Sequence, residues 1–141
     1  MPGPGRLGFH LVALNVTGLM PGVFRLDPVT QEITLQRAGD FRSETYTMCL
    51  GQDLAEECAF ALVHTADLAA LAETYGDRGY RYACMDSGQI GERINLWAVH
   101  QNLGSSGIGG YYDDQGNELV DVPLAHGILY ITLVGTPEAE E

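Results

Sequence analysis

Residues 78–103, RGYRYACMDSGQIGERINLWAVHQNL, form the longest predicted helix of the chain and decide its architecture. Small residues recur along one stripe of this helix at intervals of three and four, namely Cys84, Gly88, Gly91, Asn95, Ala98 and Asn102. Each interior glycine costs a helix roughly 1 kcal/mol relative to alanine, so the stripe predicts close contact with another helix or a flat group. Ile90, Ile94 and Trp97 predict a separate apolar face that packs in the core.

The segment after this helix is rich in glycine. Residues 104–112 read GSSGIGGYY and predict a loop whose backbone can approach a ligand closely. Asp113 and Asp114 begin a short helical segment that fades at Gly116. Residues 127–134, GILYITLV, carry no charge and predict a central strand that is covered on both faces.

The first half of the chain predicts strands and short helices. Apolar or alternating runs predict strands, at residues 9–16, 23–26, 33–36 and 58–64. One helix is predicted from a cap at Asp40 to about Leu50. A second is predicted from Leu68 to Tyr75, with Thr65 or Asp67 as its cap. The order of these elements predicts an α+β fold in which helices pack on a mixed, mainly antiparallel sheet, with one long central helix.

Composition limits the class of protein. Seven arginines, no lysine and nineteen acidic residues give a net charge of -12, which disfavours nucleic acid and anionic membrane surfaces as partners. No apolar stretch approaches the 18 residues of a membrane span, and the N-terminus lacks the apolar core of a signal peptide, so we predict a cytoplasmic protein. Residues 1–137 are predicted to form one domain, and residues 138–141 an acidic tail.

Cysteine and histidine show no metal-binding pattern. The three cysteines, Cys49, Cys58 and Cys84, are an odd number without CxxC spacing and lie in apolar sequence, which favours buried, reduced thiols. The histidines His10, His64 and His100 lack HxxxH or HExxH spacing, so each is interpreted as a hydrogen-bonded core or surface residue. We therefore predict no metal site.

Three segments resemble the streptolysin-type azoline dehydrogenases of the nitroreductase superfamily. Residues 18–51, GLMPGVFRLDPVTQEITLQRAGDFRSETYTMCLG, resemble their G-L-x-P-G-x-[YF]-x-x-[DH]-P stretch and the following G-D-[FL] helix. Residues 75–91, YGDRGYRYACMDSGQIG, resemble their Y-G-x-R-x-Y-[RK]-Y helix, and residues 107–113, GIGGYYD, their G-I-G-[GA]-[FY]-x-D loop. The three segments follow one another in the family's order and extend from residue 18 to residue 113 of the chain.

This resemblance implies a nitroreductase-like fold and flavin chemistry. Members of that family form homodimers that bind flavin mononucleotide (FMN) at the subunit interface and oxidise a thiazoline or oxazoline in a peptide to the azole. The helix pair of the family matches Arg81 and Tyr82, which implies that Tyr82 relays a proton while Arg81 stabilises its phenolate or orients the substrate. The alternative is that the two form an ordinary surface pair near a helix start.

The same resemblance implies the cofactor-binding residues and the site of association. The matching loop would pass its backbone against the flavin, through Ser106, Gly107, Ile108, Gly109 and Gly110. The small residues Gly88 and Gly91 would let two helices meet at the dimer axis. The alternative is that residues 106–110 form an ordinary glycine-rich connection between two elements.

Several positions depart from the family pattern. Gln89 stands where relatives have histidine, and Thr136 stands where many have a basic residue. The family's N-terminal arginine-rich phosphate motif has no match, which leaves Arg6 as the basic residue near the matching stretch and implies a C-terminal half domain. We therefore expect an identical chain or a partner chain with the N-terminal half to complete the flavin site. The alternative is a non-catalytic scaffold or regulatory subunit without flavin.

Overall fold

A computed structural model describes residues 7–123 and 125–138 of the chain. Its six strands are β1 (Leu7–Ala13), β2 (Gly22–Leu26), β3 (Ile33–Ala38), β4 (Phe60–Asp67), β5 (Gly104–Ile108) and β6 (His126–Gly135). Its five helices are α1 (Arg42–Met48), α2 (Asp53–Glu57), α3 (Leu68–Tyr75), α4 (Arg78–His100) and α5 (Asp113–Val120). Arg6 and residues 139–141 of the predicted tail lie outside the described residues.

The six strands form one sheet in the order β3-β2-β1-β4-β6-β5. All neighbouring pairs in this sheet are antiparallel. Strands β4 and β6 lie inside the sheet and are mostly buried, as their uncharged or apolar sequences predicted. The α+β prediction is thus confirmed, with helices on both faces of a sheet that is antiparallel throughout the described residues.

One face of the sheet is covered by α1, α2 and α5. The apolar core on this side includes Met48 of α1, Ala55 of α2 and Leu119 of α5, which pack against Val63 and Ile131 of the sheet. The buried thiols of Cys49 and Cys58 belong to the same core, and burial raises the pKa of each to about 11. The prediction of buried, unpaired cysteines is confirmed there, whereas Cys84 on the other face is half-buried.

The other face is covered by α3 and α4, and here the predicted orientation of α4 is partly confirmed: Ile90 and Ile94 pack on the core as predicted, but they share the inward side with small residues. The small residues lie against the sheet, with Ala83, Ser87, Gly91 and Ala98 buried. Trp97, predicted as core, is 47% exposed. Large side chains rising from the sheet leave room only for small ones on the helix, because the interior is close-packed.

Gly91 therefore contacts the chain's own sheet and not a second helix. A β-carbon on Gly91 would lie 3.0 Å from Cε1 of Tyr130, which rises from β6. Gly88, by contrast, is exposed and has no heavy atom within 4 Å of the corresponding position. Of the two glycines expected at a dimer axis, Gly88 alone faces outward.

Several element boundaries also differ from the predictions. Strand β1 ends at Ala13, and not at residue 16, because the backbone N–H groups of Leu14 and Asn15 both donate to the Ala59 carbonyl. Helix α5 continues past Gly116 to Val120. A β-carbon on Gly116 would lie 2.1 Å from Cδ1 of Ile128, so this glycine reflects close packing on the sheet and not a helix end.

The capping predictions are partly confirmed. The Asp67 side chain accepts the backbone N–H of Ala70 at 3.1 Å and caps α3, so Asp67 and not Thr65 has this role. Asp40 accepts the N–H of Arg42 at 3.1 Å just before α1. The short helix α2 was not predicted.

Candidate functional site

The predicted cofactor-binding residues lie on an edge strand and the turn that follows it. Residues 106–108 are the last three of β5, so the prediction of a loop over residues 104–112 was wrong in its first half. Pairing with β6, with Ser106 opposite Leu133 and Ile108 opposite Ile131, supplies the strand geometry that the glycines and serines do not favour by themselves. Gly109 and Gly110 then lead, exposed, towards α5.

Gly107 is required by a tyrosine on the neighbouring strand. A β-carbon at Gly107 would lie 1.5 Å from Oη and 2.4 Å from Cζ of Tyr130. The same ring contacts the Gly91 position on α4 and lies edge-on to His64, with ring centroids 5.7 Å apart. Tyr130 therefore fills the space between α4 and the end of β5, and Gly91 and Gly107 leave room for its ring.

His64 is a buried structural residue that joins α4 to the sheet. Its Nδ1 lies 2.8 Å from Oγ of Ser87 on α4, and its Nε2 lies 3.1 Å from Oγ1 of Thr132 on β6. Burial lowers the pKa of His64 to about 4, against 6.5 for the free side chain, so the ring is neutral at pH 7. The interpretation of this histidine as a hydrogen-bonded core residue is confirmed.

Arg81 and Tyr82 lie in the first turns of α4. Arg81 is exposed, whereas Tyr82 is half-buried and packs edge-on against Tyr75 of α3, with ring centroids 5.6 Å apart. Consecutive helical residues point in directions about 100° apart, so the two side chains leave α4 on adjacent sides. The Tyr82 ring faces α3, whereas Arg81 extends into solvent.

A second tyrosine of this helix interacts with the turn after β5. Hydrogen bonding with Cys84 raises the pKa of Tyr80, and the charge of Asp113 adds to the rise. Burial and the charge of Asp113 likewise raise the pKa of Tyr111. Tyr111 donates a hydrogen bond to the Ile128 carbonyl at 2.7 Å, which fixes the turn to β6. The start of α4 and the β5–α5 turn therefore form one polar and aromatic cluster.

This cluster was not singled out from the sequence. Tyr80 and Tyr111 both stand inside the segments that carry the family resemblance, next to the residues that were chosen. A search for phenols beside the glycine turn would have found Tyr111, but only the fold brings Tyr80 and Asp113 together.

The residues around β5 fit a flavin in part. An edge strand with exposed Gly107 and a following Gly109-Gly110 turn leaves backbone open to a flat ring system. A cavity of about 210 Å³ at the start of the same strand is lined by Ser106 and Thr136, but also by the carboxylates of Glu57 and Glu138.

That acidic cavity does not fit a phosphate dianion. No arginine is among its lining residues in the described part of the chain, and a phosphate needs cationic or multiple N–H donors. Within residues 7–123 and 125–138, no cluster of three or more metal-ligating side chains is present either. In the same residues no helix has the length and apolar character needed to cross a bilayer.

Comparison with known proteins identifies a family. Residues 25–136 match the model of the nitroreductase family. A putative nitroreductase of Methanocaldococcus jannaschii, MJ1384, is 26% identical over 116 residues, which are 82% of this chain and 59% of that protein.

Solved structures with the same fold were also found. A putative nitroreductase from Anabaena variabilis superposes with a TM-score of 0.91 at 42% identity, over 94% of this chain and 27% of that one. The Escherichia coli microcin synthetase McbBCD complex, bound to truncated pro-MccB17, superposes with a TM-score of 0.82 at 20% identity, over 96% of this chain and 53% of that one. The NADPH:FMN oxidoreductase of Vibrio harveyi, complexed with NAD+, superposes with a TM-score of 0.59 at 25% identity, over 70% of this chain and 46% of that one. The chain thus spans less than two thirds of the length of each of these proteins.

Proposed function

The chain belongs to the nitroreductase family of oxidoreductases, and from this premise we propose that it is one part of an FMN-dependent enzyme that oxidises azoline rings in a peptide to azoles. The relatives include an NADPH:FMN oxidoreductase and a microcin synthetase complex that holds a peptide. The second likeness is one of fold alone, so the azoline substrate rests on the matched sequence segments.

The open edge of β5 carries this proposal. Its exposed glycine backbone adjoins a turn that interacts with the first turns of α4, where Tyr80 and Arg81 are exposed. A flat cofactor against this edge would lie beside side chains able to move a proton. The arrangement therefore suits a reaction in which a cofactor and a side chain share the work.

The flavin, when bound, supplies the hydride acceptor that no side chain can provide. In the proposed reaction Tyr82 holds or removes the second proton at its phenol oxygen, and Arg81 orients the substrate or stabilises the phenolate. Tyr80 is a second phenol, on the side of α4 that interacts with Asp113 of the β5–α5 turn, and it could move a proton at that edge.

The phosphate end of the cofactor is held elsewhere in this proposal. The cavity at the start of β5 offers Glu57 and Glu138 where a phosphate would need cations, and this chain covers 53% of the matched microcin synthetase chain. We infer that a further segment, in a partner chain or a second copy, supplies the cationic phosphate site.

The outer face of α4 is the surface we assign to association. Met85, Leu96 and Val99 are exposed on one side of α4, and Leu96 is 63% exposed. The apolar surface of Leu96 and Val99, which lie one turn apart, costs free energy in water and is covered when another helix packs on it. Gly91 is excluded from the expected contact because it faces the sheet, whereas Gly88, exposed three residues after Met85, stays on this side.

A second candidate function is a scaffold that keeps the fold and binds no flavin. The observation that favours it is the acidic lining beside β5, together with Thr136 at the position of a basic residue in relatives. A cofactor-free subunit would have no reason to keep cations at that place.

A visible absorption spectrum separates the two candidates. The purified chain is measured alone, with excess FMN, and with FMN after co-expression with a nitroreductase-family N-terminal half. We expect a protein-bound flavin spectrum in the third sample. A matched sample carrying Gly109→Trp, which fills the open turn, should bind less. An assembled but colourless complex would favour the scaffold and contradict the enzyme.

A further inference from the structure

A large cavity lies far along the sheet from the β5 edge. It has a volume of about 690 Å³ and opens where β6 begins at His126, whereas β5 pairs with the second half of β6. The C-terminal end of α5 and the turn after β2 form its walls. This volume falls in the range of small-molecule sites, roughly 300–1,000 Å³.

Two buried polar atoms of the cavity have no partner among the residues that the structure describes. Nδ1 of His10 and Oγ1 of Thr65 form no hydrogen bond within residues 7–123 and 125–138, and the two residues are only 8% and 1% exposed. An unsatisfied buried donor or acceptor costs folding free energy, so two beside one cavity indicate a missing hydrogen-bonding group.

Gly8 leaves space beside one of these atoms, the Thr65 hydroxyl oxygen. Gly8 pairs with Thr65 across β1 and β4, and a β-carbon on Gly8 would lie 2.4 Å from Oγ1 of Thr65. Any other residue at this position would cover the hydroxyl. His10 pairs with Arg25 on β2, so the three polar side chains lie on neighbouring strands of the floor.

The Arg25, His10 and Thr65 side chains can each donate to an anionic oxygen. Arg25 is exposed and, in the described residues, forms no hydrogen bond or salt bridge, although its charge contributes to the lowered pKa of Asp27; its guanidinium can donate in a planar fork. Burial, Arg25 and His126 together lower the pKa of His10 to about 4, which shows that the local field is unfavourable to another cation.

The acidic residues of the lining are mostly engaged elsewhere. Asp27 accepts the backbone N–H groups of Val29 and Thr30, and Asp67 caps α3 and lies 3.7 Å from Nε2 of His126. Asp121 remains on the rim. These carboxylates favour a singly charged ligand over a phosphate dianion.

We propose that this cavity binds a carboxylic acid with an apolar body, whose carboxylate contacts Arg25, His10 and Thr65. The carboxylate accepts from the Arg25 fork, from the Thr65 hydroxyl and from the His10 ring. The apolar body lies against Val120 and Val122 on the walls. The site is independent of the proposed flavin chemistry, since it needs neither FMN nor a second chain.

Titration of the full chain, labelled with ¹⁵N-histidine, tests the site without any cofactor. We expect 4-phenylbutyrate to shift the His10 ring resonances saturably. Its uncharged analogue 4-phenylbutyramide should bind about tenfold more weakly or worse, because charge-assisted hydrogen bonds are lost. Equal affinity for acid and amide, no saturable shift, or tighter binding of inorganic phosphate than of the acid would overturn the assignment.

Three variants connect the binding to the named side chains. Arg25→Gln should weaken 4-phenylbutyrate binding about tenfold or more, whereas Arg93→Gln, on the exposed side of α4, should leave it unchanged. Thr65→Val should weaken binding yet raise the unfolding temperature, because it removes an unsatisfied hydroxyl. Equal weakening by Arg25→Gln and Arg93→Gln would mean nonspecific attraction and reject the site.

Discussion

The phenol of Tyr130 occupies the space that a side chain at Gly107 would fill, with Oη 1.5 Å from the position of a β-carbon there. The ring of Tyr130 thus lies over the backbone of β5 on the side of α4. This contact also explains why a residue expected to serve a cofactor is needed for the fold as well.

Gly107→Ala should destabilise the chain by about 1–3 kcal/mol, because Tyr130 is held by Gly91 and His64 and cannot move without cost. Chemical denaturation measures the change. Gly109→Ala is the matched control, since no atom lies within 4 Å of its β-carbon position, and it should change stability by no more than about 0.5 kcal/mol. Equal effects of the two variants would contradict the packing of Tyr130 on Gly107.

The sequence predicted elements better than it predicted faces. The length of α4, the strands β4 and β6 and the cap of α3 at Asp67 follow from local patterns, and the structure has them. The inward face of α4 was misjudged because its requirement for small residues comes from Tyr130 and His64, which are distant in sequence. No local pattern carries that information.

The residues of the candidate site were likewise predicted only in part. Gly107 and its neighbours were found through their sequence, but the strand they form depends on pairing with β6. Tyr80 and Tyr111 were missed because their shared neighbour, Asp113, is brought to them by the fold. The catalytic roles of Arg81 and Tyr82 stay predictions.

The stability of the chain should fall between pH 6.5 and 4. His64 has a folded pKa of about 4 against 6.5 unfolded, so the unfolded chain binds the extra proton in this window and stability is fully present only above it. His10, also lowered to about 4, adds to the same slope. Urea unfolding at pH 7.5 and 5.0 measures the difference.

The variant His64→Gln should cost about 1–3 kcal/mol at pH 7.5, because it disturbs the hydrogen bonds to Ser87 and Thr132. The loss between pH 7.5 and 5.0 should become smaller than in the parent chain, since one titrating group is gone. His100→Gln, exposed at the end of α4, should keep the parent's pH dependence. If His64→Gln keeps the full slope, this histidine is not the buried neutral group described above.

Association should depend on the outer face of α4. Leu96→Glu places a charge beside the exposed Val99 and is expected to lower the oligomeric mass measured by sedimentation equilibrium. Met20→Glu introduces the same charge at another exposed apolar residue, outside α4, and should leave the mass unchanged. If the parent chain is monomeric by itself, and its complex with the partner half contains one copy of each, this surface has no role in association.

Tyr82→Phe tests the proposed proton transfer in the flavin-loaded assembly. Loss of the phenol oxygen should lower kcat about 10²-fold or more and leave the flavin absorbance unchanged, because a relay group acts on the proton and does not hold the cofactor. Tyr80→Phe is the matched comparison. Tyr80 precedes Arg81 in the helix as Tyr82 follows it, and the Tyr80 phenol interacts with Cys84 and Asp113. If Tyr80→Phe lowers kcat and Tyr82→Phe does not, the relay belongs to the residue beside the β5–α5 turn. Equal loss of flavin and activity in Tyr82→Phe would mean that its packing on Tyr75 supports the fold, and that the catalytic role assigned to it is wrong.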